Sequence, residues 1–284
     1  MGAIIWLASY PKSGNTWLRA FLHNLLRNPE EGYDINRLSD FTVGESDLNW
    51  YRLQDSRPQE EWTIEDVARM RPAVHRAMTR AHPDTVFVKT HCAVMEDHGV
   101  PTVTFEATAG AIYVLRNPLD VAISYSHHLS QSLDTIIDYM AKPRARTPQT
   151  DDHVHEQLGS WSEHVESWTG RPSSGLHLVR YEDMLTKPNA TFAGITRFLG
   201  LKPPRERLER AIRRCSFRVL QEQERRTGFK ERSPSAKAFF REGKAGQWRR
   251  ILTPEQIDRV IAAHRPQMER FGYFPLDLPE RARK

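Results

Sequence analysis

Only two cysteines, Cys92 and Cys215, occur in 284 residues. That count argues against a disulfide framework and fits a reducing compartment. No apolar run approaches the ~20 residues needed to cross a bilayer. The N-terminal apolar run breaks at Pro11 and Lys12 and has no basic stretch before it, so it does not read as a signal peptide. A cytoplasmic protein without a membrane partner is expected. Apolar residues make up 39% of the chain, enough for a sizeable core but on the polar side for a globular protein. The positive excess is only +5, and the two signs of charge are interspersed. A modest basic balance favours anionic ligands, and with no basic face visible no nucleic-acid partner is expected. There is no internal repeat and no linker, so residues 1–284 are expected to form a single α/β domain. The one candidate metal pair, His153-x-His155, has no cysteine or further ordered ligand beside it. A solvated polar loop is the better reading there, and no metal is expected.

What is present begins with Ala3–Leu26. Ala3-Ile4-Ile5-Trp6-Leu7-Ala8-Ser9 has the length of a buried strand. After Tyr10-Pro11-Lys12-Ser13-Gly14-Asn15-Thr16-Trp17, apolar residues recur at helical spacing through Leu18, Phe21, Leu22, Leu25 and Leu26. The reading is strand, tight loop, helix. Free N–H groups at a helix N-terminus bind anions, and the helix dipole adds to the attraction. Gly14 permits close approach of the backbone, Lys12 adds charge, and Ser13 and Thr16 add hydroxyls. The loop is a phosphate cradle by composition. It is not a Walker A loop, because its lysine precedes its only glycine. Taken alone, it also fits an ordinary β–α turn with a solvated lysine.

Residues 28–82 are polar and mostly helical in pattern, and Thr63 with Asp66 resembles a capping box. Phe41, Trp50, Tyr51 and Trp62 either line an acceptor pocket or fill local core. Asp84–His91 reads as a strand ending in Lys89 and His91. Ligands of open parallel sheets bind beyond the carboxyl ends of strands, so both side chains belong at the edge of the first loop. His91 is there either a general base or a histidine satisfied by a carbonyl. Ala111–Leu115 is a third buried strand. It leads into Arg116-Asn117-Pro118-x-Asp120, a helix start with proline at its first position. Arg116, with Ser124 two turns into that helix, forms a plausible second anion site.

Together, Tyr-Pro-Lys-Ser-Gly-Asn-Thr-Trp, Lys-Thr-His and Arg-Asn-Pro-x-Asp-x-x-x-Ser-x-x-His-His resemble the family of sulfotransferases that use 3′-phosphoadenosine 5′-phosphosulfate (PAPS). Further matches follow in order. Gly159-Ser160-Trp161 and Val165-x-x-Trp168 resemble the helix before the last core strand. Leu176–Arg180 resembles that strand, followed by Tyr181. Cys215-Ser216-Phe217 resembles Thr-Ser-Phe, and Arg241-Glu242-Gly243 through Trp248 resembles Arg-Lys-Gly-x-x-Gly-Asp-Trp. Cys215, Glu242 and Gln247 depart from the pattern, and Lys244 stands near enough to restore the charge lost at Glu242. The family's dimer motif falls on Arg249, Thr253, Pro254 and Asp258, where Pro254 and Asp258 depart, so monomer and homodimer both stay open.

The resemblance implies a central parallel β-sheet flanked by helices, in the three-layer architecture of P-loop NTPases. It implies sulfuryl transfer from PAPS, without metal, to a hydroxyl or amine of a small-molecule acceptor. The aromatics hint at an aromatic or apolar alcohol. By resemblance, His91 is the base, Lys12 stabilises the leaving phosphate, Lys89 supports the transferring group, and Ser124 restrains the lysine. Lys12, Ser13, Gly14, Asn15, Thr16 and Trp17 hold the 5′ end of the donor. Arg116, Ser124, Arg241, Glu242 and Gly243 fall on its 3′-phosphate, and Tyr181, Ser216 and Phe217 on its adenine end. Two other classes remain in view: a P-loop-like kinase using ATP, and a non-catalytic nucleotide-binding module. Residues 134–158, rich in Pro, Arg, Asp and Gln, read as a mobile loop.

Overall fold

The computed structural model of the chain describes residues 2–81 and 84–276. The remainder of the expected 1–284 domain, residue 82 of the 28–82 region among it, lies outside the described residues.

Seven strands occur among them: β1 (Ala3–Ser9), β2 (Thr42–Gly44), β3 (Thr85–Thr90), β4 (Glu96–Asp97), β5 (Val100–Pro101), β6 (Thr108–Leu115) and β7 (Leu176–Arg180). Five of them form a sheet in the order β2-β3-β1-β6-β7, parallel throughout. β4 and β5 form a separate antiparallel ribbon. Alternate residues of the central strands feed two cores. Ile4, Trp6 and Ala8 join Val86, Val88, Ala111, Tyr113 and Leu115 on one face. Leu7 joins Phe87, Ile112, Val114 and Val179 on the other. Burial on both faces is why these strands read as continuous apolar runs. Helices Ile64–Ala81, Pro118–Leu129, Trp161–Thr169 and Pro254–Arg270 cover the first face. Helices Asn15–Arg27, Pro188–Phe198, Arg205–Arg214 and Phe217–Thr227 cover the second. The α/β class, with a central parallel sheet flanked by helices in three layers, is thus as the sequence led us to expect. Among the described residues no helix is long and apolar enough to cross a membrane.

Helix starts follow local chemistry. Thr63 and Asp66 cap each other reciprocally, with Asp66 N–H donating to Thr63 Oγ1 (3.1 Å) and Thr63 N–H to Asp66 Oδ2 (2.9 Å). Thr253 and Gln256 repeat the arrangement before Pro254. Gly200, at φ 68°, follows helix Pro188–Phe198 in the left-handed conformation that suits a helix stop.

Residues 134–158 are not the mobile loop their composition suggested. Leu133–Ala141 is a helix, capped by Ser132 accepting from Thr135 N–H, and it buries Ile136, Ile137 and Met140. The following segment is tied down by backbone bonds, among them Val154 N–H to Ser46 O (2.9 Å) and Ala93 N–H to Gln157 O (2.8 Å). A buried ionic cluster holds it from below. Fully buried Asp97 accepts from Arg71 and from Arg146 Nη2 (2.6 Å), and lies 2.9 Å from His155 Nε2. Arg71 Nε also donates to buried Glu45 (3.0 Å). His155 is therefore a partner of Asp97, while His153 lines the large cavity, so the pair does not converge on a common point.

Candidate active site

Strand register brings the site together. Ala8 pairs with Thr90, and Ser9 with Val114. The residues after each strand end, Tyr10–Trp17, His91 and Arg116, therefore leave the sheet at one edge. The chain crosses from the β3 side of β1 to the β6 side there, the switch point where open sheets bind ligands.

Lys12 and Gly14 both take positive φ, 66° and 112°, which folds the loop back over the helix start. Gly14 is the N-cap of helix Asn15–Arg27, with no side-chain cap bond and no acid in the first turn. Asn15 Nδ2 pins the loop to β1 by donating to Leu7 O (2.7 Å). Ser13 Oγ and Asn15 Oδ1 are buried without a partner. The Ser13 hydroxyl, which can donate, beside a bare helix N-terminus fits an anion. A Cβ on Gly14 would lie 2.8 Å from the Tyr181 ring. Gly14→Ala is therefore expected to destabilise the fold by about 1–3 kcal/mol through backbone strain and overpacking. An unchanged midpoint in urea would show that the loop relaxes freely at this point.

His91 Nδ1 lies 2.7 Å from Ser9 O. A carbonyl only accepts, so Nδ1 carries the proton and Nε2 holds the free lone pair. The backbone N–H of His91 donates to Glu156 Oε1 (3.0 Å), and His91 O accepts from His164 Nε2 (3.0 Å). Burial first, then Lys89 and Lys12, lower the His91 pKa to about 3. The Lys12 pKa falls to about 7, chiefly by burial, then by Arg116 and Lys89. Lys12 Nζ sits 3.7 Å from the Phe239 ring centroid. Burial pushes the Glu156 carboxyl up.

Arg116 is buried and braces two loops, donating to Lys12 O (2.9 Å) and Lys244 O (3.3 Å). Its guanidinium lies over the Tyr181 ring at 4.1 Å, and its Nε has no partner. Buried Asp120 accepts from Gly246 N–H (2.6 Å) and Trp248 N–H (3.2 Å), fastening the 241–248 loop to the helix after Arg116. Gly243, at φ 60°, rests on the Phe217 ring, where a Cβ would come within 2.2 Å. Arg241 pairs with Glu242 and donates to Gln247 Oε1 (2.6 Å).

A cavity of about 1160 Å³ joins these parts. Lys12, Gly14, Asn15, Thr16, Trp17, Lys89, His91, Arg116, Ser124, Tyr181, Phe217, Arg241, Glu242 and Gly243 all line it. Ser13, in the same loop, is 1% exposed and is not among the lining residues. Ser216 is the N-cap of helix Phe217–Thr227 and is not among the lining residues. Cys215 fills the core, its thiol pushed up to about 12 by burial. Of the four aromatics weighed for an acceptor pocket, none lines the cavity. Tyr51 and Trp62 are buried in core, Trp50 packs against it, and Phe41 packs on Phe87 and His23. Apolar lining comes instead from residues such as Leu48, Leu129, Ile136, Tyr139 and Val154. Sequence reasoning also missed Ser9, Asp120, Glu156 and the Arg19–Glu231 ion pair (2.7 Å), which borders the cavity. Asp120 had a local signal, an acid in the first turn of a helix that proves buried. The others had none.

The family model of the sulfotransferase domain matches residues 4–272. Sulfotransferase 1A1 of dog (Canis lupus familiaris) is 25% identical over 280 residues, covering 94% of this chain and 83% of its own. Mouse sulfotransferase SULT7A1, crystallised with PAP, has a similar fold, with TM-score 0.59, 20% identity and coverage of 94% and 84%. So has retinol dehydratase in complex with retinol and PAP, with TM-score 0.63, 20% identity and coverage of 97% and 82%.

Proposed function

We propose that this chain, which belongs to the sulfotransferase domain family, moves a sulfuryl group from PAPS to a hydroxyl or amine of a small-molecule acceptor by in-line displacement. One observation carries the residue roles. The cradle at Lys12–Trp17 and the second basic site at Arg116 and Arg241 open into a single cavity, with His91 on its wall. ATP would leave the second site without a phosphate. The unpartnered Ser13 Oγ and Arg116 Nε supply donors suited to a doubly phosphorylated nucleotide.

PAPS, when bound, supplies an activated sulfuryl group on a phosphate leaving group. The backbone amides at the helix start hold the 5′ end, with Lys12 balancing charge that develops on the leaving oxygen. Lys89 supports the transferring group. His91 Nε2 takes the acceptor proton, because Ser9 O fixes the tautomer that leaves this nitrogen unprotonated. Arg116, Ser124, Arg241 and Gly243 hold the 3′-phosphate, and Trp17, Tyr181 and Phe217 flank the adenine end. Positioning and charge stabilisation dominate, as in phosphoryl transfer.

The acceptor in this reading is a small alcohol with an apolar or aromatic body. The Leu48, Leu129, Ile136, Tyr139 and Val154 wall supports it, as does the retinol held by retinol dehydratase. A cytoplasmic setting agrees with Cys92 and Cys215, both free and buried.

The test is a thermal-shift titration with 3′,5′-ADP beside AMP, ADP and ATP with Mg²⁺. A ligand at 100 times its Kd stabilises the native state by about 2.7 kcal/mol. A clear shift for 3′,5′-ADP, well above that for AMP, is expected. A shift for ATP with Mg²⁺ and none for 3′,5′-ADP would replace this reading with a kinase.

A further inference from the structure

Eight lysines and arginines line the cavity, Arg116 and Arg241 among them. Arg241 differs from Arg116 in how it is held. Arg116 donates to the backbone carbonyls of Lys12 and Lys244, which are neutral, so its charge stays available. Arg241 pairs through Nη1 with the carboxylate of its own neighbour, Glu242, and its Nη2 donates to Gln247 Oε1 (2.6 Å). Each terminal nitrogen of the guanidinium makes one of these bonds, and the paired carboxylate offsets its charge within the loop. The Arg241 and Glu242 side chains are each 31% exposed. The pair is therefore half-solvated and able to open toward water. The backbone around it is less free. Gly243 is wedged on Phe217, and Asp120 holds Gly246 and Trp248.

We propose that Glu242 is an internal competitor for the nucleotide's 3′-phosphate. Its carboxylate occupies the arginine that would hold that phosphate, and must swing aside when the nucleotide binds. The proposal rests on the reading of Arg241 given above. Two terms oppose binding: the Arg241–Glu242 pair is broken, and a carboxylate stays close to a phosphate. Donor and desulfated product share the 3′-phosphate, so both are weakened alike. Glu242 thus sets the affinity scale of the nucleotide site and shortens the dwell time of the product.

The test is isothermal titration of 3′,5′-ADP and 5′-AMP into the full chain, its Glu242→Gln and Arg241→Ala variants, and the double variant. Gln keeps the shape and removes the charge, and Glu242→Ala serves as a second removal should the amide keep Arg241 engaged. Glu242→Gln is expected to tighten 3′,5′-ADP by about three- to tenfold, the scale of a half-exposed ion pair plus a like-charge contact. Binding of 5′-AMP, which has no 3′-phosphate, changes by less than about twofold, and the gain disappears in the Arg241→Ala background. Equal gains for both nucleotides, or a gain that survives Arg241→Ala, would make Glu242 a general electrostatic brake and overturn the proposal. So would unchanged 3′,5′-ADP affinity in both Glu242 variants. If the unsubstituted chain prefers 3′,5′-ADP over 5′-AMP and the variants change nothing, only the competitor role fails. If it binds the two alike, the assignment of the 3′-phosphate site fails too.

Discussion

His91→Asn is expected to lower kcat by roughly 10²-fold or more, the usual scale for losing a general base. Asparagine suits the comparison because its amide can still donate to Ser9 O, where His91 Nδ1 now sits at 2.7 Å. What disappears is the lone pair of Nε2. Affinity for 3′,5′-ADP should stay within about a factor of two, since no ground-state contact to the nucleotide is removed. His91→Gln should fare no better, for an amide at the Nε2 position is not a base. Turnover retained in either variant would remove His91 from the chemistry. The pKa of about 3, set by burial and then by Lys89 and Lys12, makes the imidazole a weak base in the free chain. The same two lysines face the cavity that would receive the anionic donor. An anion there cancels the repulsion that suppresses His91, so the base gains strength when there is work for it.

The second large effect is loss of stability in mild acid. His23, His164 and His264 are at most 1% exposed, and burial lowers their pKa values to about 4, 3 and 4. Bonding explains why His164 stays neutral. Its Nε2 donates to His91 O, so Nδ1 must accept from Tyr113 OH at 2.8 Å, leaving no lone pair for a second proton. His23 Nδ1 has no partner, and a proton there would place a cation beside Arg19. Below pH ~6.5 the unfolded chain takes up these protons and the folded chain does not. The stability they contribute is complete above that pH and is lost as the pH falls toward 3 to 4. Each fully titrating histidine gives a slope of about 1.4 kcal/mol per pH unit, so three give about 4 kcal/mol per pH unit near pH 5. Glu156, whose carboxyl is held above its ordinary range, opposes the trend by at most one such group. Against a total stability of about 5–15 kcal/mol, the drop is large. Urea midpoints measured from pH 7.5 to 5 should fall steeply, and a flat profile would mean that these histidines protonate in the folded state.

How far the sequence revealed this depends on the distance over which each feature is determined. β1 was legible to the residue, and β3 and β6 to within a few residues, because their apolar runs encode burial locally, while β7 was placed by the family resemblance. β2 was not, since Thr42–Gly44 is three residues long and exists only because β3 offers an edge. The Leu133–Ala141 helix was hidden by its polar surroundings, although Ser132 and the Ile136, Ile137, Met140 spacing marked it. The phosphate-cradle residues were legible because one short loop contains them all. Glu156 was not, for it reaches His91 across 65 residues. The aromatics of residues 28–82 illustrate the converse: composition placed them near a ligand, and packing placed them in the core.

The 241–248 loop has a consequence for how the chain comes to life. The sheet is complete at Arg180, roughly sixty residues before the 241–248 loop is synthesised. The first cradle can be shaped by then. Its Arg116 brace to Lys244 and the clasp from Asp120 to Trp248 wait until the chain has reached Trp248. Folding of the leading segment must therefore run on its own hydrophobic contacts, in the order in which domains form during synthesis. A nucleotide that grips both sites binds only once the chain has been made as far as Trp248.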